Sequence, residues 1–260
     1  MKKILVGLQK WTPNELEHVL SYPNEQVSGI ILGDPFCEYH MFQHGDFDLI
    51  EFAEKAKTVG KVVVYQTPVY LTHPIFDKTL SIIQYLEKKK VCDWILAQDV
   101  GLIHLCSKNK TTIPICWSVW GYNRSNFISY NLVNFLMSIG IQGIEINNPS
   151  WGEHVSCLNL QVFLNGYAPT VVSFRQTCYV ESVYKTHCNN GDLCQKSMFI
   201  IQDIRRNQTL TINGYVLEMN IPPKLIQSET PPDWYTIHLQ TSDRLGDLLK
   251  KVSENEPSKP

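Results

Sequence analysis

The segments Val62-Val63-Val64-Tyr65 and Trp94-Ile95-Leu96 and the stretch between them decide the fold. Both segments are continuously apolar rather than alternating, which is typical of strands buried on both faces, as in parallel sheets. Between them, residues 78–89 place apolar side chains at helical spacing, namely Leu80, Ile83 and Leu86. The stretch therefore predicts a strand–helix–strand unit whose two strands run parallel.

The same unit recurs along the chain about every 30 residues, which is the spacing of βαβ units. The candidate strands lie at Ile4–Val6, Gly29–Leu32, Val62–Tyr65, Trp94–Leu96, Ile113–Trp117, Gly143–Ile146, Val171–Phe174 and Trp234–Leu239. Seven or eight such units predict an α/β fold of the TIM-barrel-like (β/α) type, complete or slightly open. A doubly wound open sheet is the alternative.

Residues typical of helix caps and turns mark where further helices and a hairpin begin and end. Thr12-Pro13-Asn14-Glu15 is a capping box with proline at the first helical position. Further helices are predicted over 46–58, 125–139 and 242–252, and Asn213-Gly214 predicts a β-hairpin. Because no interior boundary is evident, residues 1–253 are predicted to form one barrel domain. This domain carries a cysteine-bearing insertion and the hairpin in its C-terminal third, and residues 254–260 form a disordered tail.

The composition narrows the class of protein. The chain has 260 residues, 43% of them hydrophobic, and a formal net charge of −2. No basic stripe is present, so a nucleic-acid partner is not expected. No apolar stretch approaches the roughly 18 residues of a membrane span. The first apolar run ends at Gln9, short of a signal peptide, so a cytoplasmic location is expected.

The eight cysteines fall into two groups. One group lies in or beside apolar runs and is expected to be buried as small hydrophobic residues: Cys92, Cys106, Cys116 and Cys157. In the other group, a lone cysteine follows the second candidate strand and a cluster of three follows the seventh, namely Cys37, Cys178, Cys188 and Cys194. If both runs are strands of one parallel barrel, the four thiols emerge at the same end.

Four converging thiolates in a reducing compartment indicate a metal, either an iron–sulfur cluster or zinc. Nine residues separate Cys178 from Cys188, and five separate Cys188 from Cys194. This is not the two-residue spacing of zinc knuckles or ferredoxins, so the pattern leaves both metals open. His40 and His187 lie near these thiols and are candidate zinc ligands.

The C-terminal ends of the predicted strands are polar, and barrel enzymes place their chemistry there. Glu145 interrupts an apolar run, so its carboxylate points into the barrel or out beneath a helix, and either position requires a partner. Asp99 follows the fourth candidate strand. Helix capping or solvation is the alternative for Asp99 and for the other polar strand ends, which are Asp34, Gln66, Thr67, Gln98, Asn147, Asn148 and Arg175. Glu145 and Asp99 are the candidate catalytic residues.

Eight segments, in order along the chain, resemble the collagenase-like peptidase family U-32, and within it the UbiU/UbiV-type branch. They are Trp11-Thr12-Pro13, Ile31-Leu32-Gly33-Asp34-Pro35-Phe36-Cys37, Gly60-Lys61-Val62-Val63-Val64, Ala97-Gln98-Asp99-Val100-Gly101, Trp120-Gly121-Tyr122-Asn123, Gly143-Ile144-Glu145-Ile146, Thr177-Cys178-Tyr179-Val180 and Ile212-Asn213-Gly214. The spacing of the last three cysteines departs from that branch, as does Glu38-Tyr39-His40 after the first cysteine.

The resemblance implies a TIM-barrel-like fold with a 4Fe–4S cluster held by one early and three late cysteines. Cys37, Cys178, Cys188 and Cys194 take those places. It also implies a heterodimer with a homologous U32-family protein. That pair would support oxygen-independent hydroxylation of an aromatic or quinone-like small molecule, such as a quinone precursor.

Three other functions remain open from the sequence. The chain could be a zinc-stabilised barrel that acts as an assembly partner, a metal-free barrel with the same role, or a U32-type peptidase. Whether the chain is itself a hydroxylase component is also left open. No glycine-rich phosphate loop, Gly-x-Ser-x-Gly elbow or His-Glu-x-x-His helix is found in the sequence.

Overall fold

Eight parallel strands close into a barrel in the computed structural model. The residues described are 2–8, 11–34, 45–69, 71–118, 129–151, 155, 158–168, 171–174, 199–203, 208–213, 216–219, 226, 232–239 and 241–254. The barrel strands are β1 (Ile4–Leu8), β2 (Gly29–Leu32), β3 (Val62–Gln66), β4 (Trp94–Ala97), β5 (Ile115–Trp117), β6 (Gly143–Ile146), β7 (Gln161–Tyr167) and β12 (Trp234–Leu239). Their order is β1-β12-β7-β6-β5-β4-β3-β2, and the parallel pairing of β12 with β1 closes the ring. The predicted TIM-barrel-like fold is confirmed, and the barrel is complete.

Helices cover the outside of the barrel. They are α1 (Pro13–Leu20), α2 (Gly45–Thr58), α3 (His73–Lys89), α4 (Val100–Lys108), α5 (Tyr130–Ser138) and α6 (Leu245–Glu254), with a 3-10 turn over Ser242–Arg244. The Thr12 side chain caps α1 by accepting from the Glu15 N–H at 3.3 Å. The Glu15 carboxylate instead accepts from the Ser242 N–H at 2.9 Å, which ties the first helix to the last. Among the described residues, no helix is long and apolar enough to cross a membrane.

Side-chain alternation along the strands builds two separate cores. Two neighbouring residues of β2 are an example: Ile30 packs beneath the helices, whereas Ile31 packs inside the barrel. The outer core is the larger and holds the apolar faces of the helices, such as Ile83 and Leu86 of α3. The inner core consists of Leu5, Ile31, Val64, Leu96, Cys116, Phe163 and Trp234. Both faces of each strand are therefore buried, as the continuous apolar runs predicted.

One predicted barrel strand is wrong. Val171–Phe174 forms β8, but β8 belongs to a separate four-stranded sheet with β9 (Phe199–Asp203), β10 (Gln208–Asn213) and β11 (Val216–Met219). The neighbouring strands in this sheet pair antiparallel. The seventh barrel strand is β7, ten residues earlier, which the sequence analysis did not identify. The small sheet is therefore inserted between the seventh and eighth barrel strands.

Several boundaries differ from the prediction. The predicted hairpin exists, but Asn213 pairs with Val216, so it is a strand residue rather than part of the turn. Helix α3 begins at His73, five residues earlier than predicted, and α5 begins at Tyr130, capped by Ser129. Helix α6 extends to Glu254, and the rest of the predicted tail, 255–260, lies outside the described residues.

Replacing Gly33 with alanine is expected to destabilise the barrel strongly. Gly33 follows β2 with φ +108°, a conformation that L-residues rarely adopt, and an added Cβ would overlap the Gln66 carbonyl oxygen. The two effects together predict a loss of about 2 to 4 kcal/mol in the free energy of unfolding, measured by denaturant titration. Gly246→Ala is the matched control, because Gly246 lies in α6 at ordinary φ and alanine favours helix by about 0.5 to 1 kcal/mol. Equal stability of the two variants would contradict this account of Gly33.

Candidate active site inside the barrel

The barrel interior changes from apolar to polar towards the C-terminal ends of the strands. Phe163, Leu5 and Trp234 belong to the apolar part, and Trp234 stacks on Phe163 with ring centroids 6.0 Å apart. Two residues further along the same strands, the inward positions become Asn165 and Thr236, which are almost fully buried. The polar half is therefore enclosed within the barrel, at the end where barrel enzymes carry out their chemistry.

The strand register groups the polar side chains into layers. In an eight-stranded barrel of shear 8, positions at one height advance by one residue from each strand to the next. Applied to the observed pairings, this places four alternate-strand residues in one layer: Gly7, Gln66, Ser118 and Asn165. The layer below contains Glu145 and Thr236, and the layer above contains His238. These three successive layers form the polar half of the barrel interior, which we call the chamber.

Glu145 lies in this chamber and is fully buried. It is an inward residue of β6, flanked by Ile144 and Ile146, which face the helices. The Ser118 hydroxyl donates to Glu145 Oε2 at 2.7 Å. Of the two orientations that the sequence allowed for Glu145, the structure has the inward one. Buried, hydrogen-bonded carboxylates occur both in functional sites and in structural polar networks.

His238 approaches the same carboxylate from the opposite side of β7. Its Nε2 lies 3.9 Å from Glu145 Oε1, and its ring covers Gly7, where an added Cβ would come within 2.8 Å of His238 Nδ1. Burial lowers the pKa of His238 from 6.5 to about 3. The imidazole is therefore neutral at physiological pH, and its two nitrogens can accept one hydrogen bond and donate another.

The three side chains form an acid–base group, not a serine nucleophile. A serine nucleophile needs its hydroxyl hydrogen-bonded to a base such as histidine. Here the Ser118 hydroxyl donates to Glu145, which leaves the carboxylate between a hydroxyl and a neutral imidazole. This arrangement can take up or release a proton beside a bound molecule.

The buried imidazole predicts a loss of stability in mild acid. Between pH 6.5 and about pH 3 the unfolded chain protonates His238 but the folded chain does not, so stability falls as the pH falls. From pH 6.5 to 4.5 this effect amounts to about 2 kcal/mol. Denaturant unfolding of wild type and His238→Gln over this range measures it, and the variant should lose less stability than wild type. Identical pH dependence in the two proteins would refute the role of His238.

The other predicted site residues occupy different positions. Asp99 caps α4, its Oδ1 accepting from the Leu102 N–H at 2.8 Å, which is the structural alternative that the sequence left open. Asn148 Oδ1 accepts from the Ser150 N–H at 3.1 Å and from its hydroxyl at 3.0 Å. Asp34 is buried just beyond β2. This hydrogen bond does not test the predicted catalytic role of Asp99, which stays a prediction.

The predicted metal ligands lie outside the described residues, namely Cys37, Cys178, Cys188, Cys194, His40 and His187. Because β8 belongs to the separate sheet, the late cysteines do not follow a barrel strand, and the parallel strands no longer predict that the four thiols emerge at one end. The predicted burial of Cys106 and Cys116 is confirmed, whereas Cys92 is half-buried and Cys157 is not described. Within the described part of the chain, no group of three or more potential ligands could hold a metal ion.

Four residues of the chamber were not predicted from the sequence. His238 and Thr236 occupy alternate positions of the last apolar run, and this period-two pattern was a usable signal for inward polar residues. Ser118 follows a three-residue strand and carried no signal of its own. Asn165 was hidden because Asn165-Gly166 is a typical turn sequence. The partnership of Ser118, Glu145 and His238 arises only from the closure of the barrel.

Comparisons with known proteins agree with the barrel. No family model matches the chain, and no curated protein matches it. Among solved structures, the U32 peptidase Mk0906 resembles it with a TM-score of 0.54 at 12% identity, over 92% of this chain and 92% of that chain. A 2,3-dimethylmalate lyase reaches 0.46 at 8% identity over 97% and 80% of the two chains. A type I 3-dehydroquinate dehydratase from Clostridium difficile reaches 0.45 at 9% identity over 63% and 74%.

At these identities the likeness concerns the fold alone, and the two scores below 0.5 carry no weight here. The chain is a closed (β/α) barrel protein with the fold of a U32 peptidase over nearly its whole length.

Proposed function

We propose that this chain is a U32-family barrel protein of the UbiU/UbiV type that carries a 4Fe–4S cluster on Cys37, Cys178, Cys188 and Cys194. Together with a homologous partner of the same family, it would support oxygen-independent hydroxylation of an aromatic or quinone-like small molecule. The acid–base group in the barrel interior would serve that reaction.

The observation that carries the proposal is the position of the resembling segments. Ile31-Leu32-Gly33-Asp34 spans the C-terminal end of β2, Ala97-Gln98-Asp99 that of β4, and Gly143-Ile144-Glu145-Ile146 forms β6. The first two segments lie at the C-terminal ends of their strands, and the third contains Glu145 of the barrel interior, whereas a fourth, Gly60-Lys61-Val62-Val63-Val64, lies at the N-terminal start of β3. The resemblance therefore includes residues at the functional end of the barrel as well as residues of the scaffold.

The cysteine donors fit an iron–sulfur cluster by their chemistry. A ligand thiol must be deprotonated, and burial raises the pKa of Cys92 to about 12 and of Cys106 to about 11. Burial also raises the pKa of Cys116 well above its usual value, with a smaller contribution from Glu145. These three thiols are therefore poor ligands, whereas four thiolates are what a 4Fe–4S cluster requires.

Chain length allows the four predicted ligands to meet near the barrel mouth. Cys37 follows the buried Asp34 by three residues, and a chain spans at most about 3.5 Å per residue. The late cysteines lie between β8 and β9, and β8 begins four residues after β7 ends at the same mouth.

Hydroxylation of a C–H group without O2 would take its oxygen atom from water and release two electrons and two protons. A bound cluster would pass these electrons one at a time to an external electron acceptor. The Glu145 carboxylate would take up a proton from the substrate or the water, beside the neutral His238 imidazole.

Metal analysis tests the proposal. The protein is purified anaerobically, and iron, sulfide and zinc are measured with the visible spectrum. About four irons and four sulfides per chain are expected. One zinc and no iron would replace the proposal with a zinc-stabilised barrel, with His187 or His40 as a further ligand. Absence of any metal would leave a metal-free partner barrel.

The similarity in fold to the U32 peptidase Mk0906 favours one second candidate, a peptidase. That function predicts cleavage activity that survives Cys188→Ser, since no thiolate would be needed for it. The Ser118 hydroxyl donates to Glu145 and so does not resemble a serine nucleophile. Cleavage of collagen-derived peptides by the metal-free protein, lost in Glu145→Gln, would favour the peptidase over the cluster protein.

A further inference from the structure

Two adjacent turns at the N-terminal end of the barrel form a positively charged surface. Residues 87–93 lead from α3 into β4, and residues 107–114 lead from α4 into β5, which pairs with β4. Together the two turns hold five lysines, two acidic residues and no arginine, in a chain whose net charge is −2. The two segments are separate in the sequence, so this surface arises from the pairing of β4 with β5.

Both acidic residues of these turns are engaged in contacts of their own. Glu87 Oε1 accepts from the Thr112 hydroxyl at 2.7 Å, which also ties one turn to the other. The Asp93 carboxylate accepts from Lys57 Nζ at 2.9 and 3.0 Å. Neither carboxylate therefore pairs with a lysine of the two turns.

Four of the five lysines are exposed and, among the residues that the structure describes, make no ion pair. They are Lys88, Lys90, Lys108 and Lys110, which we call the lysine rim. The fifth, Lys89, pairs with Glu54 at 3.4 Å. Exposed charges of one sign on neighbouring turns raise the local electrostatic potential and attract an anionic partner.

Two lysines of the rim occupy backbone positions that favour glycine. Four turns at this end of the barrel share one hydrogen-bond pattern around a residue in the left-handed conformation. Those residues are Gly60, Lys90, Lys110 and Gly140, with φ of 73°, 56°, 58° and 108°. Glycine adopts this conformation at no steric cost, whereas lysine loses stability there.

The helix dipole explains only part of the rim. Lys88 and Lys108 lie in the last turns of α3 and α4, where a positive charge stabilises a helix. Lys90 and Lys110 lie beyond those helices, at positions where glycine would fit the backbone better. Their charge is therefore kept at some cost in stability, which indicates a role outside the fold itself.

The composition of the rim favours a lipid surface over a nucleic acid. Lysine is a point charge on a flexible stem, whereas nucleic-acid recognition relies on arginine forks and stacked aromatic rings. The adjacent α2–β3 turn adds Val59, an apolar residue that is 48% exposed and can enter a headgroup layer. A fluid anionic headgroup layer can adapt to lysines on two turns without a shaped pocket.

We infer that the lysine rim docks the N-terminal end of the barrel reversibly on an anionic phospholipid surface. In this orientation the mouth at the C-terminal ends of the strands faces away from the lipid. The inference uses neither the cluster nor the chamber, and it goes beyond the proposed function by assigning an interaction surface to the opposite end of the barrel.

Vesicle sedimentation of the full chain tests this inference. Vesicles of phosphatidylcholine with about 30% phosphatidylglycerol are compared with vesicles of phosphatidylcholine alone. The protein is expected to bind the anionic vesicles at least tenfold more tightly than the neutral ones. It should lose most of this binding when salt is raised from about 0.1 M to about 0.5 M, because salt screens exposed charges. No binding to anionic vesicles, or equal binding to both kinds, would overturn the inference.

Glycine substitutions separate the charge of the rim from its backbone. Lys90→Gly and Lys110→Gly should each weaken binding to anionic vesicles about fivefold, and the double variant at least tenfold. Because glycine relieves the left-handed conformation, the melting temperature should stay unchanged or rise. The double variant Lys90→Gln/Lys110→Gln removes the same charges without added glycine and should lose binding equally. Wild-type binding in both double variants would contradict the role of the rim.

Two control variants match these changes. Asn159→Gly replaces an exposed, uncharged residue with φ 56°, so it should bind vesicles as wild type does. Arg244→Gln removes an exposed positive charge at the start of α6, near the other end of the barrel, and should change binding less than twofold. A loss in either control as large as in Lys90→Gly would remove the lysine rim as the docking surface.

A short DNA duplex in place of the vesicles tests the alternative partner. Wild type is expected to bind anionic vesicles at least tenfold more tightly than the duplex at the same salt concentration. Tighter binding of the duplex, lost in the double variants, would replace the lipid surface with a nucleic acid. Iron content is measured in parallel and should be the same in wild type and the double variants, so failure here is distinguishable from failure of the cluster proposal.

Discussion

Glu145→Ala is expected to lower both stability and activity, whereas Glu145→Gln is expected to lower activity alone. Alanine removes the acceptor of the Ser118 hydroxyl inside a fully buried chamber and leaves a cavity. The unpaired donor and the lost packing together predict a loss of about 2 to 4 kcal/mol in the free energy of unfolding. Glutamine keeps an oxygen for Ser118 and similar volume, so its stability should stay within about 1 kcal/mol of wild type.

Both Glu145 variants should lose at least about 100-fold in the rate of the proposed hydroxylation, because neither can hold a proton as a carboxyl group does. Denaturant unfolding and anaerobic turnover with the partner protein measure the two effects separately. If Glu145→Gln retained wild-type turnover, the acid–base role of the chamber would be wrong. If Glu145→Ala were as stable as Glu145→Gln, the hydrogen bond from Ser118 would not contribute to stability.

Cys188→Ser is expected to lose essentially all bound iron together with the visible absorption of the anaerobically purified protein. A serine hydroxyl is a poor ligand for a cluster that depends on thiolates. Cys92→Ser is the matched control, because the Cys92 thiol donates to the Trp94 carbonyl oxygen at 3.1 Å and serine can keep that bond. The control should retain the wild-type iron content. Full iron in Cys188→Ser, or equal losses in both variants, would remove Cys188 from the ligand set.

Most of the barrel could be predicted because parallel strands buried on both faces appear as continuous apolar runs. Gly29–Leu32, Gly143–Ile146 and Trp234–Leu239 were predicted with the bounds that the structure shows. Their number and spacing were enough to indicate a barrel, because few folds repeat a strand–helix unit so often.

Strand β7 was not predicted, and its sequence shows why local patterns can mislead. Its apolar run contains Asn165-Gly166, which in isolation predicts a turn. In the barrel, Gly166 is required because the Tyr235 ring packs against it, and an added Cβ would overlap that ring. Asn165 meanwhile faces the chamber. Both residues serve tertiary contacts, so the next apolar run, Val171–Phe174, was predicted in its place although it belongs to the antiparallel sheet.

The candidate site could be predicted only in part. An acid inside a strand made Glu145 conspicuous, and it lies in the barrel as one of the two expected orientations. Asp99 instead follows a strand end, where an acid can serve a site or cap the next helix, and its carboxylate caps the helix. Ser118 and His238 come from strands that are distant in sequence, and their approach to Glu145 depends on barrel register.

The central claim is that the early cysteine and the late cysteines share one cluster at the barrel mouth, and Cys37→Ser tests it most directly. Iron and sulfide are measured per chain in anaerobically purified wild type and variant, alongside the visible spectrum. The account predicts about four of each in wild type. It also predicts that Cys37→Ser loses this four-iron cluster, although Cys37 is 141 residues from Cys178 in the sequence. Wild-type iron, sulfide and absorption in Cys37→Ser would contradict it.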